Sequence, residues 1–250
     1  MEPSGQMRQP DVPGPFAAAS RRLFGGLARL RGGKRAFHPD GVVFTAELIL
    51  VGEEQRAEGS ILGQRARLPA VARLSRSLGV PEPLPDALGI AIRIESLAGP
   101  GTRQDLLFVT SSRLPGGRHA PLPAPRGFFG HFFTTVWPYR VGGKVRMLAL
   151  QPPEDGPDSP RDLEGITRTG PGARYRLLIA SLEGPWQALG ELVLGELRQG
   201  QVEEIRFNPW NTADGELRPT GPLMGLRDPA YEGSQDARGA PRGWRARPEA

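Results

Sequence analysis

The stretch Val42–Val51 reads VVFTAELILV, with Val42, Phe44, Ala46, Leu48 and Leu50 on alternate positions. That period of two predicts a strand with one face in a core. Comparable runs recur at Val71–Arg73, Leu88–Ile94, Leu106–Thr110, Val145–Leu150, Tyr175–Ser181, Glu191–Leu197 and Val202–Phe207, several bounded by glycine or proline. Short alternating runs of this kind predict an antiparallel sheet that closes on itself. A helical period appears over residues 16–34, where Phe16, Leu23, Phe24, Leu27 and Leu30 form a stripe opposite arginines, weakened by Gly25 and Gly26. Arg126–Tyr139 (RGFFGHFFTTVWPY) is an aromatic cluster that predicts a helix roofing an apolar pocket. Gln151–Ala173 reads as a Pro/Asp/Gly linker, and residues 1–15 and 232–250 read as disordered tails. No internal repeat is present.

Composition sharpens this picture. Glycine (34) and proline (27) make up about a quarter of the 250 residues, which argues against a helical bundle and for strands joined by turns. The absence of cysteine excludes a disulfide scaffold, thiolate catalysis and Cys-ligated zinc or iron–sulfur clusters. No apolar run approaches the roughly 20 residues that span a bilayer, and residues 1–15 lack the continuous apolar stretch of a secretory signal, so the expectation is a cytoplasmic protein without a membrane span. The formal charge of +5 is unevenly placed. Seven basic residues against Glu2 and Asp11 give residues 1–35 a charge of +5, residues 232–250 carry +1, and the body between them carries −1. A basic tail on a neutral body lacks the basic face that nucleic acid requires, so no nucleic-acid partner is expected. The Arg-rich arm over 16–34 admits a membrane-surface or targeting role, and packing on its own domain is the simpler reading.

Several familiar signals do not develop. His38-Pro39-Asp40 matches the tripeptide of J-domain co-chaperones, which sits between two charged helices, whereas here a strand starts at Val42. The glycine pairs at 25–26, 32–33, 116–117 and 142–143 have neither spacing of a phosphate-cradling loop, and no serine sits in a GxSxG elbow. His119 and His131 have no further ligand at metal spacing and read as structural or surface residues.

An ordered series of motifs remains. Arg35-Ala36-Phe37-His38-Pro39-Asp40-Gly41 precedes the first strand; Val71-Ala72-Arg73-Leu74-Ser75 and Asp86-Ala87-Leu88-Gly89-Ile90-Ala91-Ile92-Arg93 follow. Next come Gln104-Asp105-Leu106, then Phe207-Asn208-Pro209 through Gly225-Leu226-Arg227, and finally Arg227-Asp228-Pro229-Ala230-Tyr231 with Arg238 seven residues on. In order and spacing the series resembles the haem-dependent catalase superfamily: Arg-x-x-His-x-x-Gly, Val-x-Arg-Phe-Ser, Asp-x-x-Gly-x-Ala-x-(Lys/Arg), Trp-Asp-Leu and the proximal Arg-x-x-x-Tyr.

The resemblance implies an α+β, β-dominated fold, a catalase-like antiparallel β-barrel with flanking helices, over residues 35–231. It implies one haem b with Tyr231 as iron ligand. Arg227, one helical turn away, favours the tyrosinate over a phenol of ordinary pKa about 10. Arg35, Arg73 and Arg238 are implied as propionate partners, His38 as proton shuttle and Ser75 as the residue holding its other ring nitrogen. Val42, Phe128, Phe129, Phe132 and Phe133 are expected as the apolar pocket. The chain also departs from the family. The distal asparagine falls at Val109, with Thr110 and Ser111 following, so Thr110 becomes the substitute polar group. Gly233-Ser234-Gln235 stands where Asp-Thr-(His/Gln) is usual, and the C-terminal helical extension of full catalases is not expected. The expected function is oxidoreductase action on hydrogen peroxide or an organic hydroperoxide, with weak catalase activity and an electron donor the sequence does not name. A non-enzymatic haem-binding or sensing module and a hydroperoxide-rearranging or dehydrating enzyme are the alternatives, and a homo-oligomer is compatible with all three.

Overall fold

The computed structural model describes residues 41–76, 86–95, 97, 99, 101–124, 127–154, 162–198, 205, 207–213 and 217–221. These fall almost wholly within one compact unit, Asp40–Thr220, which is described by itself. The arm expected over 16–34 lies outside the described residues, as does most of the strand expected over Val202–Phe207.

Eight strands close into an antiparallel barrel: β1 (Gly41–Val51), β2 (Arg65–Arg76), β3 (Leu88–Glu95), β4 (Arg103–Thr110), β5 (Phe133–Thr134), β7 (Lys144–Gln151), β8 (Arg174–Ala180) and β9 (Gln187–Leu197). The order around the wall is β5-β4-β3-β2-β1-β9-β8-β7, and β7 returns to β5. Two short strands, β6 (Tyr139–Val141) and β10 (Leu217–Pro219), extend the sheet from β7. The expected catalase-like β-barrel architecture is present. Among the described residues no helix is long and apolar enough to cross a membrane.

The period of two sets the wall. Phe44, Leu48 and Leu50 of β1 are buried in the core, with Val42 and Ala46 packed against it, as the alternation predicts. Their cross-strand partners on β2 include Ala70, Ala72 and Leu74, and the inward face continues through Ile90, Ile92 and Ile94 on β3 to Leu106 and Phe108 on β4. Each fully buried Leu, Ile or Phe contributes about 1.5–3 kcal/mol relative to exposure, so this continuous core is the main stabilising term.

Two expectations are corrected. Arg126–Tyr139 does not form an α-helix: within its described residues it makes a 3-10 turn at Phe128–Gly130, then β5, then the start of β6. Gly127 and Gly130 weaken a helix, and Thr134, Thr135 and Val136 favour extended backbone. Gln151–Ala173 is more than a linker, because it carries α1 (Leu163–Thr169). The Asp162 side chain accepts a hydrogen bond from the Gly165 N–H at the N-terminus of α1, and Ile166 enters the barrel core fully buried.

The passage from β5 to β6 is strained. Val136 has φ +58°, and the Trp137 N–H donates to the Thr135 carbonyl across it at 2.6 Å, a γ-turn centred on a β-branched residue. The turn absorbs a mismatch in length. Thr135 bonds Leu148 while Tyr139 pairs Arg146, so four steps on one strand face two on β7. Flanking groups hold it: the Val136 N–H donates to Thr134 Oγ1, and His119 Nδ1 lies 3.2 Å from the Val136 carbonyl.

Candidate functional site

The outward face of the wall carries two of the polar residues singled out in the sequence, Arg73 and Ser75. The ladder registers align Gly41, Ser75, Gly89, Val109, Thr134, Ala149 and Leu178 in one row across seven strands. Two residues along each strand lies a second row, Val43, Arg73, Ala91 and Leu107. Beyond it lies a third, Thr45, Val71, Arg93 and Asp105. Arg73 and Ser75 are therefore brought together on one face, and both are buried, at 5% and 3% exposure.

The seat of Arg73 depends on a glycine. A Cβ added at Gly41 would stand 2.6 Å from Arg73 Nη2 and 2.7 Å from the Leu74 carbonyl. The missing side chain is what lets the guanidinium lie over the start of β1. Ala91, Leu107 and Val109 beside it are half-buried and purely apolar.

The hydroxyls at the end of β4 are committed to backbone. Thr110 Oγ1 accepts from the Leu88 N–H at 3.1 Å and donates to the Leu122 carbonyl at 2.6 Å. Thr110 sits at 1% exposure and shares the inward side of β4 with Leu106 and Phe108. Ser111 Oγ faces the Gly117 and Ala120 carbonyls at 3.1 and 2.9 Å. Thr134, next to Val109 in the outer row, donates to the Arg118 carbonyl at 2.7 Å and accepts from the Val136 N–H. Each of these protons already has a carbonyl acceptor, so Thr110 is placed as a strut between β4 and the chain at Leu122.

The expected aromatic pocket divides in two. Phe128, Phe129 and Phe133 belong to the barrel core, at 0%, 5% and 0% exposure, around Tyr175. Val42 also packs against that core. Phe132 alone turns outward, because it precedes Phe133 in an extended chain, and it packs with Ala149, Leu178 and Trp186. Phe128 and Phe132 therefore occupy opposite sides of the wall and do not share a pocket. Burial among these rings raises the Tyr175 phenol well above its ordinary pKa.

One centre escaped sequence reasoning, although its residues lay in the motifs. Arg93 Nε and Nη2 donate to the two Asp105 carboxylate oxygens at 2.8 and 2.7 Å. Asp105 Oδ2 also accepts the Asn208 N–H at 2.7 Å and Asn211 Nδ2 at 2.8 Å, and Phe207 lies under the Arg93 guanidinium. Three distant motifs thus meet at one buried carboxylate that docks residues 207–213 on the outer wall. The available signal was a pair of opposite charges at the ends of two apolar runs, Arg93 after Leu88–Ile92 and Asp105 before Leu106–Val109. A second unforeseen feature is Arg118, at 1% exposure, which donates to the Ser181, Gly184 and Arg113 carbonyls and stacks on Trp186. Burial lowers its pKa.

His38, Arg35, Arg227, Tyr231 and Arg238 lie outside the described residues. Among the described residues no group of three or more His, Cys, Asp or Glu side chains could hold a metal ion. The described part of the site does suit a haem in its chemistry, with a buried guanidinium for a carboxylate and carbon side chains for a macrocycle.

No protein-family model matches this sequence, and no curated protein matches it. Solved structures do. A fungal catalase aligns with TM-score 0.62 and 14% identity, over 97% of this chain and 66% of its own. Catalase A from Saccharomyces cerevisiae aligns with TM-score 0.60 and 12% identity, over 95% of this chain and 68% of its own. A bacterial catalase gives TM-score 0.61 and 14% identity, over 94% and 62% respectively. The chain spans about two thirds of the length of these catalases. At such identities the likeness is one of fold, and the fold is catalase-like.

Proposed function

We propose that this chain binds one haem b and acts as an oxidoreductase on a peroxide. The observation that carries this reading is the pairing of Arg73 and Ser75, buried side by side on the outer face of a catalase-like barrel. These are the two described residues that the resemblance assigns to propionate binding and to support of the distal histidine. Arg73 would neutralise a propionate, with Arg35 and Arg238 as its counterparts. Tyr231 would ligate iron, its phenolate favoured by Arg227. His38 would take a proton from one peroxide oxygen and return it to the leaving oxygen, with Ser75 orienting the ring. When bound, the haem supplies the redox chemistry that the side chains of this chain lack.

The test is an absorption spectrum of the full chain purified with haem supplied, beside Tyr231→Phe. A Soret band in the wild type, with loss of haem or an altered charge-transfer band in the variant, is expected. An unchanged spectrum in Tyr231→Phe would remove that residue as ligand, and a wild type without a Soret band would end the proposal.

A further inference from the structure

We infer that the peroxide this site prefers carries an apolar organic group, an alkyl or aryl hydroperoxide in place of hydrogen peroxide; this rests on the haem reading above. The outer face around Arg73 and Ser75 is polar at one side and carbon at the other. In the row that holds Ser75, the next two positions are Gly89 and Val109; in the row that holds Arg73, they are Ala91 and Leu107. Ala91, Leu107 and Val109 are only half-buried, while the core-facing residues of the same strands, the polar Gln104 and Thr110 included, are at 3% exposure or less. Leu107 and Val109 stand about 7 Å apart along β4, and Ala91 stands about 5 Å from Leu107 across the ladder. A strip of that size accommodates one phenyl ring or a short branched alkyl group.

The same neighbourhood offers hydrogen peroxide little. Hydrogen peroxide has no carbon to place on the strip, and orienting both of its oxygens takes directed donors or acceptors. Thr110, Ser111 and Thr134 are the hydroxyls at this end of β4 and β5, and each directs its proton at a backbone carbonyl. Withdrawing one would take that hydrogen bond from its carbonyl, which for Thr134 is a buried one. An organic hydroperoxide needs only one end oriented, because apolar contact fixes the other.

The test uses the haem-loaded full chain and two readouts. The first is equilibrium binding of 2-phenyl-2-propanol, the redox-inert alcohol of cumene hydroperoxide, followed as a shift of the ferric haem spectrum. Leu107→Ala should weaken it about tenfold, the factor carried by roughly 55 Å² of lost apolar contact. Val109→Thr, which keeps the side-chain shape, should weaken it about threefold. The second readout is kcat/KM, expected to be at least tenfold higher for cumene hydroperoxide than for hydrogen peroxide and to fall in parallel with binding. A protein with a normal Soret band that favours hydrogen peroxide, or whose alcohol binding is the same in wild type and both variants, overturns this inference and leaves the haem reading standing. A protein with no Soret band overturns both.

Discussion

Replacing Asp105 by alanine tests whether the buried carboxylate holds the outer wall together. Four hydrogen bonds end on it, two from Arg93 and one each from Asn208 and Asn211, and its side chain is fully buried. The substitution takes both carboxylate bonds from a guanidinium that is 8% exposed and orphans the Asn208 N–H. Breaking a buried ion pair from one side costs about 3–5 kcal/mol, against a total stability of about 5–15 kcal/mol for a domain. With a urea slope of about 2 kcal/mol per molar, the unfolding midpoint should fall by about 2 M. Residues 207–213 should also become accessible to limited proteolysis before the barrel unfolds, because Asp105 and Gln104 anchor them. The double variant Arg93→Met/Asp105→Leu removes both charges and should recover part of the loss, giving a coupling energy above about 1 kcal/mol in a double-mutant cycle. A single variant within 1 kcal/mol of wild type, or an additive cycle, would refute the argument.

Other outcomes follow from particular residues. Val136→Gly should raise stability by about 1 kcal/mol, since glycine accepts φ +58° without the strain of a β-branched residue; a fall in Tm by differential scanning calorimetry would show that the turn is not strained. The raised pKa of Tyr175 keeps the folded phenol protonated where the unfolded one ionises, so its stabilising effect is complete below about pH 10 and is lost as pH rises towards the folded value. Tyr175→Phe should therefore lose less stability than wild type between pH 10 and about 12, and parallel urea midpoints across that range would contradict this. His38→Ala should keep haem and react with peroxide about 10² to 10⁴ times more slowly; equal rates would assign the proton transfer elsewhere and favour a sensing module.

The sequence made the barrel legible because the core face of the wall follows a period of two: Phe44, Leu48 and Leu50 of β1 lie in the core as read, and the other principal strands start or end within a few residues of the expected points. Two-residue and three-residue elements such as β5, β6 and β10 carry too few residues to show a period; β5 and β6 are paired by β7, and β10 by β6. The helix expected over the aromatic cluster failed because aromatic density signals burial without saying which side of the wall is buried. Phe132 and Phe133 are neighbours in sequence and lie on opposite faces. For the site, the motif order was enough to select Arg73 and Ser75, which do share a face. Thr110 differs: a hydroxyl's chemical identity is visible in sequence, but the carbonyl that holds its proton is twelve residues away. The Asp105 centre was hidden for the same reason, since beside Arg93 its donors are 103 and 106 residues distant.

The seam between β1 and β9 has a consequence for biosynthesis. It is held by the Thr45 hydroxyl, which donates to the Glu196 carbonyl 151 positions away, and by ladder pairs such as Leu48 with Leu192. A nascent chain completes the β1–β2 hairpin early, yet the far edge of β1 waits for β9 to leave the ribosome. At about 5–20 residues per second that interval is about 8–30 s. Throughout it β1 presents a row of unpaired N–H and C=O groups beside Phe44, Leu48 and Leu50, a template that any other extended segment can join. Glu47, clasped by Arg67 on the solvent side of the hairpin, is the one charge on that stretch of β1. The finished hoop has no such edge at β1, so the hazard belongs to the newborn chain, and holding chaperones and slowed translation are the levers that act on it.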